Sequence, residues 1–262
     1  MPAPRSCVRR AAVSVRAVRF PPPTRAPCTD LLRTVIAALC LAGACPAAAQ
    51  VGAAVSLFSQ ANVRGYSVSN GHPVAALDFS YDSSSGAYAA ASASGVAGSS
   101  DLLRPLSIQL NGGYARPLSS TLTLDLGATH AIYSHYSRIG AGRSYAEFYA
   151  GLSGKRISSR ISFSPHYFLN RQPTIYGELN GNLGAGYGLL FEAHVGALVA
   201  LDGGSRAYQR QIDWRLGVSR ELGRVTLHAA WVGHGRAPQP FRSTLRIRPS
   251  RRALIFGLTY GL

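Results

Sequence analysis

The eight residues Ile212–Ser219, with the sequence IDWRLGVS, alternate between large apolar side chains and polar or small ones. Successive side chains of an extended strand point to opposite faces, so the apolar residues share one face and Asp213 and Arg215 lie on the other. Such a strand separates a hydrocarbon-like environment from a wet one. The stretch therefore predicts a sheet with one apolar side and one polar side.

The same alternation recurs along most of the chain, for example over Leu122–Leu126, Val225–Trp231 and Leu254–Tyr260. After Ala49, no stretch has the roughly 18 uncharged apolar residues that a transmembrane helix needs. The pattern instead predicts twelve strands of roughly ten residues, the length of a tilted strand that crosses a bilayer. They cover about 53–64, 73–82, 86–95, 105–115, 119–132, 143–153, 157–168, 174–183, 188–200, 209–220, 223–233 and 251–261.

The connections between these segments alternate between tight and long. Tight connections such as Ser83–Ser85 and Glu221–Leu222 are followed by long ones such as Tyr133–Gly142. An even strand number with short turns at one rim and long loops at the other is typical of an antiparallel outer-membrane β-barrel. We expect the long loops to face outward and both termini to be periplasmic. The strands of a soluble sandwich or lipocalin-like barrel also alternate between apolar and polar residues. Such folds, however, lack the regular alternation of short turns and long loops over twelve strands.

The first 49 residues differ in composition from the rest and predict a signal peptide. They contain all four cysteines, an arginine-rich start, the short apolar run Val35–Ala44 and the small residues Ala47–Ala49. This order matches the regions of a secretory signal cleaved after Ala49. A loosely lipoprotein-like box ending at Cys45 is a competing interpretation. The predicted mature domain, residues 50–262, has no cysteine and therefore no disulfide or thiolate metal site.

Composition and charge narrow the function further. The chain has 262 residues, of which 47% are hydrophobic and 15% charged, so it is too apolar for a disordered protein. Its formal net charge is +16. The excess of positive charge would suit binding to nucleic acid, but export and the even spread of arginine argue against such a partner.

Alternating apolar residues up to the terminal Leu262 resemble the C-terminal signal that the outer-membrane assembly machinery reads.

Three segments carry a resemblance to a known family. Ser59–Val74 (SQANVRGYSVSNGHPV) is similar to the opening signature of the TorF family of porins, approximately S-D-Y-x-x-R-G-x-S-x-S-x-G-x-P. Gly86–Ala89 and Tyr145–Ser153 resemble later segments of that family. The Asp-Tyr pair of the signature is Gln60-Ala61 here, which removes any role of those two side chains. The resemblance implies an outer-membrane barrel that acts as a porin.

If the apolar faces contact lipid, the charged residues of the strands face the lumen. An arginine at mid-depth on the lipid face would cost about 2–4 kcal/mol, so the interior is the favourable location. Fixed charges in a wet lumen orient and filter polar solutes. Mutual pairing that closes the lumen is the alternative. The predicted pore-lining residues are Arg64, Asp78, Asp125, Glu147, Arg160, Glu178, Glu192, Asp213 and Arg215, with His194 beside them.

Two further groups of residues are predicted to contact the exterior of the barrel and the membrane interfaces. Six arginines in Gly235–Arg252 would face outward and could bind phosphate groups of lipopolysaccharide or steer anionic solutes. Aromatic residues near strand ends suit the girdles at the membrane interfaces. The predicted girdle residues are Tyr133, Tyr145, Tyr167, Tyr176, Tyr208, Trp214 and Trp231.

One enzymatic arrangement is worth testing. His135 and Ser137, with Glu147 twelve residues after the histidine, resemble the H-x-S arrangement of outer-membrane lipid deacylases. Arg138 stands where those enzymes carry Asn, and the strand parity directs His135 and Ser137 to the lumen rather than to lipid. The other histidines are scattered without metal-ligand spacing.

The sequence as a whole predicts an outer-membrane porin for passive diffusion of small polar solutes. We expect no enzymatic activity, cofactor or metal. The expected partners are outer-membrane lipid, lipopolysaccharide and the barrel-assembly machinery, and not nucleic acid. A homo-oligomer is left open, as are two other functions: a closed structural or lipopolysaccharide-interacting barrel, and a lipid hydrolase.

Overall fold

The first and last strands of the sheet pair with each other, so the sheet closes into a barrel of twelve antiparallel strands. The computed structural model describes residues 49–97, 103–137, 144–168, 172–201, 211–235 and 251–262. The first strand pairs Val55 with Tyr260 on one side and with Leu77 on the other. Closure leaves no unpaired strand edge, which hydrocarbon would not tolerate.

Each barrel strand pairs with its neighbours in sequence, and two short strands lie between the first two. The barrel strands are β1 (Ala49–Phe58), β4 (Val74–Ser83), β5 (Ala87–Val96), β6 (Arg104–Pro117), β7 (Leu122–Tyr133), β8 (Ser144–Gly154), β9 (Ile157–Tyr167), β10 (Gln172–Gly186), β11 (Leu189–Ala200), β12 (Gln211–Leu222), β13 (Val225–His234) and β14 (Arg252–Gly261). The short strands are β2 (Asn62–Val63) and β3 (Tyr66–Ser67).

The predicted fold class and the twelve strands are confirmed, and one strand end differs substantially. The alternation predicts a first strand over 53–64, whereas β1 ends at Phe58. Ser59 still bonds to β14, because its amide donates to the Phe256 carbonyl and its hydroxyl accepts from the Phe256 amide. Beyond it the chain forms the β2–β3 hairpin, which lies inside the barrel. Arg64 therefore lies on a loop and not on a barrel strand.

The outer surface is a continuous apolar belt. Across four adjacent strands, Val195 pairs with Trp214, Leu216 with Trp231, and Trp231 with Leu254. The two tryptophan rings contact each other edge to face, with their centroids 4.4 Å apart. Large exposed side chains of this kind are repeated on the outward face of every barrel strand except β5, whose outward residues are mainly alanines, and they suit contact with lipid. Among the described residues, no helix is long and apolar enough to span a membrane.

The predicted aromatic girdle is only partly right. Trp231 faces outward, but the four tyrosines of the prediction that the structure describes are buried inside the barrel. Strand parity explains Tyr145 and Tyr176, which share faces with Glu147 and Glu178. Tyr167 has the opposite parity to Arg160 on β9, and an irregularity in the β9–β10 register accompanies its inward position. The inward tyrosines are Tyr133, Tyr145, Tyr167 and Tyr176. Tyr208 and the predicted signal peptide, apart from Ala49, lie outside the described residues.

Leu216→Arg tests the assignment of the outer face, since Leu216 lies near the middle of β12. We expect a loss of about 2–4 kcal/mol in the free energy of unfolding, because the charge must enter hydrocarbon. Denaturant titration of the protein in phospholipid vesicles measures this loss. Leu216→Ala is the matched control, which removes the side chain without adding charge and should cost much less. Equal losses in both variants would contradict the lipid-facing assignment.

Candidate functional site

Residues 59–73, hereafter the inner loop, connect β1 to β4 and contain two tight turns. Arg64 and Gly65 have φ angles of 48° and 78° and join β2 to β3. Asn70 and Gly71 have φ angles of 58° and 79°, and the His72 amide donates to the Ser69 carbonyl across them. Two successive residues with positive φ are what a type I′ turn requires, which explains both glycines of the family signature.

Two serines of the same signature hold the loop together. The Ser69 hydroxyl accepts the Ala61 amide at 3.0 Å and donates to the His72 carbonyl at 2.8 Å. The Ser67 hydroxyl accepts the Gly71 amide at 3.0 Å. Ser69 is fully buried, so these bonds replace ones that water would otherwise make. The signature therefore encodes a loop that is structured by its own hydrogen bonds.

The inner loop is packed against the inner faces of β12 and β13. The tip approaches β13 so closely that a Cβ on Gly65 would lie 2.5 Å from the Gly233 carbonyl oxygen. Tyr66 stacks on His234 with ring centroids 4.0 Å apart, and the Gln211 side chain donates to the Arg64 carbonyl. Burial raises the pKa of Tyr66 to about 12, which keeps its hydroxyl neutral.

Arg64 is the centre of the site. Its Nη2 lies 2.8 Å from both carboxylate oxygens of Glu147. The guanidinium carbon lies 3.8 Å from the Tyr176 ring centroid and 4.9 Å from that of Tyr167. The Arg64 and Glu147 side chains are only 10% and 8% exposed, so a charge-assisted pair and two cation–π contacts fix the guanidinium inside the barrel.

A second polar cluster lies closer to the turn rim. The Tyr88 hydroxyl donates to Asp125 and also bonds to the Tyr149 hydroxyl. Arg160 binds the other Asp125 oxygen at 2.9 Å and lies over the Tyr149 ring. Tyr88 comes from Gly86–Ala89, and Glu147 and Tyr149 come from Tyr145–Ser153. The three segments that resemble the TorF family thus meet in the lumen.

A third cluster links β10, β11 and β12. His194 Nε2 lies 3.0 Å from Asp213, and His194 Nδ1 lies 2.7 Å from the Asn180 side-chain oxygen. The Tyr176 hydroxyl donates to Asp213 at 3.2 Å and presents its ring to Arg64. The buried Asp213 carboxylate is therefore held by neutral donors and by histidine, and not by arginine.

Looser contacts join other lumen side chains, which belong to β1, β4, β11, β12, β13 and β14. Arg215 and Glu192 are 3.8 Å apart and both are more than a third exposed, so their pairing is weak. Among the described residues, Asp78 accepts one long hydrogen bond, from the Ser56 hydroxyl at 3.5 Å. His228 bonds to Thr259 at 3.1 Å.

In the described part of the barrel, three cavities lie along the inner wall. One, of about 570 Å³, lies beside β1, β4, β5 and β6, and the site separates the other two. The larger of these two has a volume of about 660 Å³ and is bounded by the inner loop, Asp78, Asn182, Glu192 and Arg215. The smaller, of about 250 Å³, is bounded by Glu147, Tyr149, Arg160 and Glu178. Arg64, His194 and Asp213 line both cavities. Their side chains form the partition between the two spaces.

All the predicted lumen residues project into the barrel. Arg64 does so from the inner loop and the other eight from barrel strands. The structure joins Arg64 to Glu147, Arg160 to Asp125 and Arg215 to Glu192. Sequence reasoning did not find the tyrosines that complete the site. For Tyr145, Tyr149 and Tyr176, parity with an acidic residue on the same strand was a usable signal, whereas the strands of Tyr88 and Tyr167 contain no acidic residue. Whether solutes pass along these residues stays a prediction.

The hydrolase arrangement is not assembled in the described residues. Glu147 is bound by Arg64, His135 is exposed, and the buried Ser137 hydroxyl has no hydrogen-bond partner there. The same part of the chain has no cluster of three or more His, Cys, Asp or Glu side chains that could hold a metal ion. Most of the basic segment Gly235–Arg252 lies outside the described residues, so its contact with lipopolysaccharide stays a prediction.

A closed twelve-strand barrel with an apolar exterior and a charged, partly filled interior defines a porin-type outer-membrane fold. Residues 42–253 match the Gcw_chp family, described as a bacterial protein of unknown function, and the chain belongs to this family. That match leaves membership of the TorF family a prediction. Among curated proteins, none matches this chain in sequence.

Solved structures of similar architecture include outer-membrane porins. The NanC porin superposes with a TM-score of 0.55 at 13% identity, covering 80% of this chain and 100% of that one. The KdgM porin gives a TM-score of 0.49 at 9% identity, covering 80% of this chain and 99% of that one. At such identities the likeness to NanC establishes the fold alone.

Gly65→Ala tests the docking of the inner loop. The added methyl group both strains a positive φ and collides with Gly233, so the hairpin tip can no longer seat and Arg64 becomes exposed. We expect trypsin to cleave after Arg64 in this variant and not in the unaltered protein, as read by mass spectrometry of the fragments.

Gly223→Ala is the matched control for that experiment. Gly223 also has a positive φ, of 66°, but a Cβ there would meet no atom within 4 Å. It therefore adds the strain without the collision and should leave Arg64 protected. Cleavage after Arg64 in the unaltered protein would show that the loop is not docked.

Proposed function

We propose that the protein is an outer-membrane channel for the passive diffusion of small polar solutes, narrowed by its inner loop. The observation that carries this proposal is the charged partition formed by Arg64, His194 and Asp213 between two cavities inside a closed barrel. A barrel of twelve strands lies between the filled eight-strand and the open sixteen-strand sizes, so one inserted loop is enough to narrow it.

The lining supports selective but weak contact with solutes. Around the larger cavity, short polar side chains such as Ser92, Ser94, Asn180 and Asn182 alternate with the charged groups. Such groups exchange hydrogen bonds with a hydrated solute without binding it tightly, and conduction requires binding that is weak enough for release. The lumen chemistry therefore favours small hydrophilic molecules over apolar ones.

The inner loop sets the size of those solutes. It fills the barrel at the end of the long connections, where Tyr66 and Val68 pack into an apolar cluster with Val74, Val96 and Leu106. Burying a side chain such as Val68 contributes about 1.5–3 kcal/mol, and the docked loop also makes the Arg64 contacts. A loop fixed in this way acts as a permanent constriction.

The apolar belt and the barrel closure support a location in the outer membrane. There, membrane lipid would contact the belt. β14, which completes the ring by pairing with β1, is the element we propose is presented to the barrel-assembly machinery. We also propose that the protein contacts lipopolysaccharide and that it forms homo-oligomers.

Single-channel recording tests the proposal directly. The protein is purified from the outer membrane of an expressing Gram-negative host and inserted into a planar bilayer in KCl. We expect discrete, small conductance steps because the lumen is narrow. A folded, heat-modifiable barrel that gives no steps would overturn the channel function and favour the closed structural barrel.

Removal of the partition should widen the channel. The double variant Arg64→Ala/Glu147→Ala deletes both charges together, so neither is left buried without a partner. We expect the single-channel conductance to rise about twofold as the two cavities merge. The control Lys155→Ala/Glu221→Ala removes one charge of each sign from the exposed turn rim and should leave the conductance unchanged. An unchanged conductance in the first variant would contradict the role of the partition.

A further inference from the structure

The charge inside the barrel is opposite in sign to the charge of the whole protein. The full chain has a formal net charge of +16. In the described part of the chain, the charged groups that line the two cavities on either side of the site, or that pair with a lining residue, are three arginines and six carboxylates. The arginines are Arg64, Arg160 and Arg215, and the carboxylates are Asp78, Asp125, Glu147, Glu178, Glu192 and Asp213. Arg251, just before β14, lines neither cavity but acts electrostatically on Tyr66 and His234. The described lumen is therefore acidic.

Each of the three arginines that line the cavities lies beside a carboxylate, closely for Arg64 and Arg160 and loosely for Arg215. Arg64 binds both oxygens of Glu147, Arg160 binds Asp125 at 2.9 Å, and Arg215 lies 3.8 Å from Glu192. An anion that entered the lumen would have to compete with these carboxylates for every guanidinium. The opposite charges within each pair therefore largely cancel, so each pair contributes little to the electric field that acts on a passing ion.

The remaining carboxylates have no arginine partner among the described residues. Glu178 makes no ion pair there, since the Arg160 opposite it on β9 turns its guanidinium to Asp125. Asp78 has only the long contact with Ser56, and Asp213 is held by Tyr176 and His194. Glu178 lines the smaller cavity and Asp78 the larger one. Each cavity therefore contains a carboxylate that is free to attract a cation.

The wall of the barrel strengthens this field. A narrow lumen between low-dielectric walls focuses the field of its fixed charges, whereas charges at an exposed rim are screened by salt. Asp82 and Glu221 lie exposed at the turn rim. The lumen carboxylates should therefore determine ion preference more than rim charges or the net charge of the chain.

We infer that the lumen selects for small cationic solutes, with Asp78 and Glu178 as the residues that set the preference. This inference rests on the proposed channel function and names the solute class for it. The test compares the permeability of potassium with that of chloride. The protein purified from outer membranes is placed between unequal KCl solutions, and the reversal potential gives the permeability ratio of the two ions.

We expect potassium to be more permeant than chloride, and the double variant Asp78→Asn/Glu178→Gln to lower that ratio by at least about twofold. The preference should also weaken from 0.1 M to 1 M KCl, because the screening length shrinks from about 10 Å to about 3 Å. The control Asp82→Asn/Glu221→Gln removes the same charge from the exposed rim and should change the ratio much less.

The outcomes separate the two proposals. Conductance steps with a chloride preference, or with a ratio equally sensitive to the rim and lumen variants, would overturn cation selection and leave the channel function standing. Absence of steps in any salt would overturn the channel function itself. Steps with a potassium preference that falls only in the lumen variant support both.

Discussion

Closure of the backbone hydrogen bonds is the constraint on which the rest of this structure depends. A strand edge left open in hydrocarbon costs several kcal/mol for each unpaired group, so β1 must pair with β14 as well as with β4. Closure divides every strand into a lipid face and a lumen face. Leu216 and Arg215, neighbours in the chain, are thereby placed on opposite sides of the barrel wall, and polar chemistry becomes available only inside.

The inner loop converts that enclosed space into a specific site. Two turns with positive φ and two serine hydroxyls make the loop rigid, and its tip rests on Gly233. Arg64 is then held where Glu147, Tyr167 and Tyr176 can surround its guanidinium. Strain at the Arg64 backbone, a non-glycine residue with positive φ, is tolerated because these contacts outweigh it.

The site also shows how a basic protein can enclose an acidic lumen. Each of the three arginines that line the cavities lies beside a carboxylate, and further carboxylates remain in both cavities. Charge counted over the chain says little about such a channel, because the walls isolate the lumen from the exterior. The relevant quantity is the charge left after pairing inside the barrel.

The sequence by itself determined the twelve strands, the barrel class and the inward face of residues such as Asp125 and Glu192, because strand parity is a local property. It failed where distant segments meet. It extended the first strand through Arg64 and placed Tyr145 and Tyr176 at the membrane interface. The alternation of side chains does not show that a loop turns inward. It also does not show that Arg64 and Glu147, which are 83 positions apart, form an ion pair. Only the closed tertiary structure brings the loop, the tyrosines and the carboxylates together, because closure curves the sheet so that strands distant in sequence face the loop.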